Sequence, residues 1–221
     1  MLLQRLEVPS ALRERVTTRV LLEMLRVIEG QTQELDLKNR PAVTLADYME
    51  TIEGKTSRLF ALPMGGAALL CEAPEEVEEG LIEAARHIGV LFQIQDDILD
   101  IYGEKGREHS GNDICEGKQS VLVVHCLGVA GTQESKRLKS ILDKPRNETG
   151  PDDIVAVREL FAQSGSLGFA LDQLEQRRKA ALNLPAFASY PRLTRVLSEA
   201  CEIFLYPIRS LTGAGLGSSP H

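Results

Sequence analysis

The sequence predicts an all-α protein, and three observations carry the prediction. Apolar residues recur at intervals of three and four along most of the 221 residues, the period of a helix face. Helix-start chemistry stands ahead of the main runs, at Ser10, Thr44 and Pro74. No alternating apolar run bounded by turns occurs; Val121–Val124 is β-branched enough for a strand, but neither Ser120 nor His125 enforces one.

The first helix begins at Ser10, whose hydroxyl can cap it, and carries Leu12, Val16, Val20, Leu21, Met24, Leu25 and Ile28. Gly30 is expected to close it, and the polar stretch from Gln31 to Val43 reads as a loop. Thr44 caps a second helix, with Asp47 three residues on in the place of a capping-box glutamate. That helix runs toward Leu70, and Pro63 should kink or break it, because proline lacks an amide donor and crowds the preceding turn. Pro74 followed by Glu75, Glu76, Glu78 and Glu79 is a strong helix start, the acids answering the positive end of the helix dipole. This helix continues through Ile82, Ala85, Ile88, Gly89, Phe92, Ile94 and Ile98 to about Tyr102. A polar loop spans Gly103 to Gly111. Helices follow from near Gly117 to Val129, from Glu134 to Leu142, and at about Asp152–Gln163, Gly168–Leu182 and Ser189–Leu211. The Gly/Ser-rich stretch from Gly213 to His221 reads as a fraying tail. No repeat or linker divides the rest, so residues 1–212 are expected to form one domain.

A formal net charge of −7 argues against a general nucleic-acid binder, since neutralising phosphates takes a surplus of lysine and arginine. It suits a protein that gathers divalent cations. Cys71, Cys115, Cys126 and Cys201 form no CxxC pair and read as buried or free thiols in a reducing compartment. The opening Met1-Leu2-Leu3-Gln4-Arg5 lacks the apolar core of a signal peptide, and no uncharged stretch reaches the ~18 residues of a membrane span. A cytoplasmic protein is expected. His87, His109, His125 and His221 show no paired metal spacing and read as structural or surface residues.

The chemically informative segment is Phe92-Gln93-Ile94-Gln95-Asp96-Asp97-Ile98-Leu99-Asp100. On a helix, Gln93, Asp96, Asp97 and Asp100 share one side. Three carboxylates crowded there repel one another within an otherwise apolar sequence, where uncompensated charge is costly. Magnesium relieves this, being a hard cation that takes carboxylate, water and phosphate oxygens. The bland alternative is a solvated acidic face. Downstream stands Gly111-Asn112-Asp113-Ile114-Cys115-Glu116-Gly117-Lys118, and upstream Gly54-Lys55-Thr56. Lys55 and Lys118 suit a diphosphate as compact point charges.

Together these segments resemble the trans-prenyl (polyprenyl) diphosphate synthase family. That family carries a Lys-Thr pair, matched by Lys55-Thr56, and an F-Q-x-x-D-D-x-x-D second aspartate-rich motif, matched from Phe92 to Asp100. Its G-x-D-I-x-x-G-K segment is matched from Gly111 to Lys118, and Gly30-Gln31 with Asp36 resembles its G-Q-x-x-D segment at a longer spacing. Lys118-Gln119-Ser120 and Gly165-Ser166-Leu167-Gly168 look most like the eukaryotic geranylgeranyl diphosphate synthases. The resemblance implies an isoprenoid-synthase-type antiparallel helix bundle around a deep cavity. It implies condensation of isopentenyl diphosphate with an allylic diphosphate, with Mg2+ held by Asp96, Asp97 and Asp100. Lys55 and Lys118 would contact diphosphate, and Thr56 and Gln93 would support the site.

The chain departs from the family in two ways. No first aspartate-rich motif and no following Arg-Arg-Gly segment is found, so the bundle is expected to be N-terminally incomplete and the lone chain impaired. His109 stands where the family usually has a lysine, and a neutral imidazole would hold diphosphate more weakly. Apolar surface at Leu21, Leu25, Leu59, Phe60 and Leu62 is expected to lack cover, which predicts a homo-oligomer or assembly with a full-length synthase subunit. The rival readings are a non-catalytic modulatory subunit of such a synthase and a terpene cyclase.

Overall fold

The structure, a computed structural model, describes residues 3–103 and 111–211. Among the described residues every regular element is helical: α1 (Ser10–Leu37), α2 (Leu45–Ile52), α3 (Arg58–Leu70), α4 (Glu75–Tyr102), α5 (Asn112–Cys115), α6 (Val121–Val129), α7 (Thr132–Leu142), α8 (Pro151–Ser164), α9 (Ser166–Leu182) and α10 (Pro191–Leu205). The all-α expectation holds, and Val121–Val129 is a helix rather than a strand.

The described residues gather into two compact units. One takes them from Met1–Asp36, Met49–Leu91 and Gln176–Cys201; the other from Leu37–Tyr48, Phe92–Glu175 and Glu202–His221. In the first, Leu12, Val16 and Leu69 form a buried cluster joined by Leu3, Leu6, Val8 and Val20. In the second, Ile94, Ile98, Val121, Leu122, Val123, Leu138, Val157 and Phe161 are fully buried. α6 is apolar around its whole circumference at Val121–Val124, the mark of a helix enclosed by others.

Helix starts follow the chemistry of the sequence. Thr44 and Asp47 form a full reciprocal cap: the Thr44 amide donates to Asp47 Oδ2 at 2.9 Å, and the Asp47 amide to Thr44 Oγ1 at 3.2 Å. Ser120 caps α6 by accepting from the Val123 amide at 3.4 Å. Gly165 separates α8 from α9 with φ 69°, a conformation that suits glycine, so α9 begins at Ser166 and not at Gly168.

Two expected boundaries move. α1 passes through Gly30 to Leu37, so the loop is shorter than Gln31 to Val43. Gly30 is needed for proximity, not for termination: a Cβ there would lie 2.4 Å from Lys55 N and 2.5 Å from Gly54 C. Pro63 sits inside an unbroken α3 whose buried Ala61, Ala68 and Leu69 hold it by packing. The discontinuity falls instead at Glu53–Ser57, a single π-helical turn between α2 and α3. That turn also meets α4, where a Cβ on Gly89 would lie 2.4 Å from Ser57 Cα, and Ser57 Oγ donates to the Arg86 carbonyl at 2.9 Å.

Candidate active site

α4 carries Gln93, Asp96, Asp97 and Asp100, as the spacing requires, but the carboxylates occupy different environments. Asp97 is completely buried, Asp100 is 3% exposed, and Asp96 is half-buried. Both oxygens of Asp97 accept from the protein. Oδ1 accepts from Gln93 Nε2 at 3.1 Å and Lys118 Nζ at 3.0 Å; Oδ2 accepts from Tyr48 Oη at 2.8 Å and the Val121 amide at 3.0 Å. Val121 opens α6, so Asp97 supplies negative charge to a helix start whose first amides lack intrahelical partners.

The Gly111–Lys118 segment now has a physical reason for each of its fixed letters. Gly111 at φ 88° and Gly117 at φ 65° bracket the short α5 with left-handed turns, where L side chains are strained. The Gly111 amide donates to the Asp100 carbonyl at 2.7 Å, tying the segment to the end of α4. The Asp113 amide donates to Asp100 Oδ2 at 3.0 Å, and Asp113 Oδ2 accepts from Lys118 Nζ at 2.7 Å. Ile114 is the buried apolar anchor, 1% exposed. Lys118 Nζ thus bridges Asp97 and Asp113. An ammonium has three donors, so, counting partners among the described residues, a third N–H is left to meet an oxygen ligand.

Electrostatics follow from one ammonium among three carboxylates. Burial works against the Lys118 charge, but Asp97 and Asp113 outweigh it and hold its pKa above the usual lysine value. Asp113 is pushed up to about 7, by burial first; Lys118 lowers it, and Asp97 and Asp100 raise it further.

Lys55 and Thr56 belong to the first unit, on the π-helical turn. Thr56 is buried; Lys55 Nζ pairs with Glu34 Oε2 at 2.6 Å. The acid at the third position after Gln31 is therefore Glu34, which corrects the expectation that Asp36 answers the G-Q-x-x-D segment; Asp36 is exposed. Gly30 and Glu34, one turn apart on α1, address the backbone and the side-chain end of the same lysine. His109 lies outside the described residues. His125, stacked on Phe169 with 4.2 Å between centroids, shares a hydrogen bond of 3.0 Å with Ser166 Oγ.

Among the described residues no three acidic, His or Cys side chains form a ready metal cage. Mg2+ needs none: it usually takes one or two carboxylates and completes its shell with water and substrate phosphate. Asp96 and Asp100, one turn apart on α4, match that number, whereas Asp97 has its lone pairs filled by four donors.

The sequence profile of the polyprenyl synthetase family matches residues 2–160. A short chain isoprenyl diphosphate synthase of Methanocaldococcus jannaschii is 37% identical over 120 residues, covering 53% of this chain and 36% of that protein. A geranylgeranyl diphosphate synthase of Saccharolobus solfataricus is 33% identical over 148 residues, covering 66% and 44%. The chain thus spans less than half the length of these relatives. Among solved structures, a geranylgeranyl pyrophosphate synthetase from Pyrococcus horikoshii superposes with a TM-score of 0.74 at 27% identity, over 89% of this chain and 62% of that one. A geranylgeranyl pyrophosphate synthase reaches a TM-score of 0.81 at 22% identity, over 90% and 63%, which speaks for the fold. With its profile matched over most of its length and its helices arranged as in these enzymes, the chain belongs to the polyprenyl synthetase family.

Proposed function

We propose that this chain is a prenyltransferase of the geranylgeranyl diphosphate synthase class, condensing isopentenyl diphosphate with an allylic diphosphate. The observation that carries the reading is Lys118, held by Asp97 and Asp113 on a segment tied through Asp113 to Asp100, with a donor to spare among the described residues. The relatives, a short chain isoprenyl diphosphate synthase and a geranylgeranyl diphosphate synthase, point to the substrate class. No described helix is long and apolar enough to cross a membrane, which is compatible with a cytoplasmic site of action.

Asp96 and Asp100 would hold magnesium; Asp97, the third expected ligand, serves the protein's own donors in this conformation. When bound, magnesium supplies positive charge to the leaving diphosphate. Lys118 would donate to diphosphate oxygens in its own unit; Lys55, with Thr56 alongside, would bind a diphosphate in the other unit once Glu34 releases it. Gln93 would keep Asp97, and through it Lys118, in place. The allylic C–O bond breaks with its electrons going to pyrophosphate, the alkene of isopentenyl diphosphate bonds to the freed carbon, and a proton is lost.

A second reading, a modulatory subunit acting beside a longer synthase, is favoured by the apolar stripe on α1. Leu21, Leu25, Ile28 and Leu35 are 61%, 56%, 59% and 64% exposed. Leu59 is also exposed, whereas Phe60 and Leu62 are half-buried. Incubating the chain with Mg2+, isopentenyl diphosphate and labelled farnesyl diphosphate, alone and with a full-length synthase, separates the readings. Product from the chain alone supports the enzyme; altered product only in the mixture supports the subunit. No product and no change in either would overturn both.

A further inference from the structure

We infer that Tyr48 is a positioning residue for diphosphate recognition, acting through Asp97 on Lys118; this rests on the proposed role of Lys118. Tyr48 is 2% exposed, and its hydroxyl donates to Asp97 Oδ2 at 2.8 Å. Phenol groups taken out of water need a partner, and this one has chosen the most buried carboxylate of the aspartate-rich helix.

Tyr48 can hold that position because the start of α2 is pinned. The Thr44–Asp47 cap fixes the turn that precedes Tyr48, and Arg40 Nη1 pairs with Asp47 Oδ1 at 2.9 Å. The carboxylate of Asp97 is thereby fixed on its Oδ2 side by Tyr48 and the Val121 amide, and on its Oδ1 side by Gln93. With three donors setting the plane of the carboxylate, the remaining acceptor direction is defined, and Lys118 Nζ occupies it at 3.0 Å. A lysine ammonium on a four-carbon stem has many rotamers. Fixing it before the ligand arrives removes part of the ordering cost of binding.

The same geometry separates the two adjacent aspartates. Four donors fill the four lone-pair sites of Asp97, so a cation could bind it only by displacing a protein donor from a fully buried site. Asp96, half-buried one residue earlier, keeps the metal role proposed above.

The test is calorimetric binding of inorganic pyrophosphate at saturating Mg2+ to the full chain and to Tyr48→Phe, Lys118→Ala and the double variant. Tyr48→Phe keeps the ring volume and should weaken pyrophosphate binding about three- to tenfold, as expected for loosening one charged hydrogen bond. It should leave the Mg2+ midpoint for pyrophosphate binding unchanged, whereas Asp96→Asn should raise it. In the Lys118→Ala background, Tyr48→Phe should have no further effect, because its route to the ligand is gone. Additive losses, unchanged affinity in Tyr48→Phe, or a raised Mg2+ midpoint in that variant would overturn the inference. Undiminished binding in Lys118→Ala would instead remove the diphosphate role of Lys118 itself, and the inference with it. Asp97→Asn gives a second check: its loss should follow Tyr48→Phe in sparing the Mg2+ midpoint.

Discussion

Gly30→Ala should destabilise the protein even though alanine is the better helix former. Gly30 lies within α1, where replacing glycine gains about 1 kcal/mol of intrinsic helix propensity. Its new Cβ would stand 2.4 Å from Lys55 N, 2.5 Å from Gly54 C and 2.9 Å from Lys55 Cα. All three neighbours are backbone, so no side chain can swing aside, and ordinary contact needs roughly 1 Å more room. Overpacking of this kind costs about 1–3 kcal/mol, and a rigid neighbour places the cost at the upper end. The net expectation is a loss of about 1–2 kcal/mol. Gly66→Ala in α3 is the control, because a Cβ there meets nothing within 4 Å; it should gain about 0.5–1 kcal/mol from propensity alone. Urea unfolding followed by far-ultraviolet circular dichroism reads both. A Gly30→Ala midpoint at or above that of the parent would refute the close-packing argument, whatever Gly66→Ala does.

Three further outcomes follow from described contacts. Glu34→Gln should free Lys55 and tighten pyrophosphate binding at Lys55 by about two- to fivefold, the scale of a partly exposed ion pair; unchanged or weaker binding in titration calorimetry would count against competition at Lys55. His87 accepts from Arg177 Nη1 at Nδ1, 3.4 Å, with Nε2 3.4 Å from Glu83, and burial holds its pKa below the usual histidine value. The unfolded chain therefore protonates first, and the stability that neutral His87 contributes is present above about pH 6.5 and lost as pH falls. Thermal melts at pH 7 and pH 5 should show a smaller acid loss in His87→Gln, and parallel losses would contradict this. Leu25→Glu combined with Ile28→Glu, both on the exposed face of α1, should lower the sedimentation coefficient of any assembly formed through that stripe.

Much of this fold was legible because the signals are local. Ser10, the Thr44–Asp47 pair and Pro74 with its glutamates mark helix starts, and the structure begins α1 at Ser10 and α2 at Leu45. The grouping of Gln93, Asp96, Asp97 and Asp100 on α4 followed from helical spacing, though not the different burial of Asp96. What stayed hidden depends on partners distant in sequence. Gly30 reads as a terminator because nothing near it announces that Gly54 and Lys55 press against it. Pro63 reads as a break, yet the chain changes its winding at Glu53–Ser57, where no residue type signals a π turn. Asp96 and Asp97 look alike as neighbours, and it is Tyr48, Lys118 and Val121, 49, 21 and 24 residues away, that hold Asp97. Glu34 was within reach, since counting three residues on from Gln31 arrives at it.

The π-helical turn at Glu53–Ser57 makes this stretch intolerant of length changes. A π turn is one residue wider than the α-helical turn it replaces, and each helical residue advances the phase by about 100°. Dropping one residue there would let α2 and α3 fuse into a regular helix, but everything downstream would rotate by that angle. Ala61, Gly65, Ala68 and Leu69, now buried, would be carried round toward a new side, and the glycine seats at Gly30 and Gly89 would face the wrong part of the chain. The turn thus works as a fixed phase offset between two helical segments. Whatever substitutions the stretch accepts, the number of its residues has to stay the same.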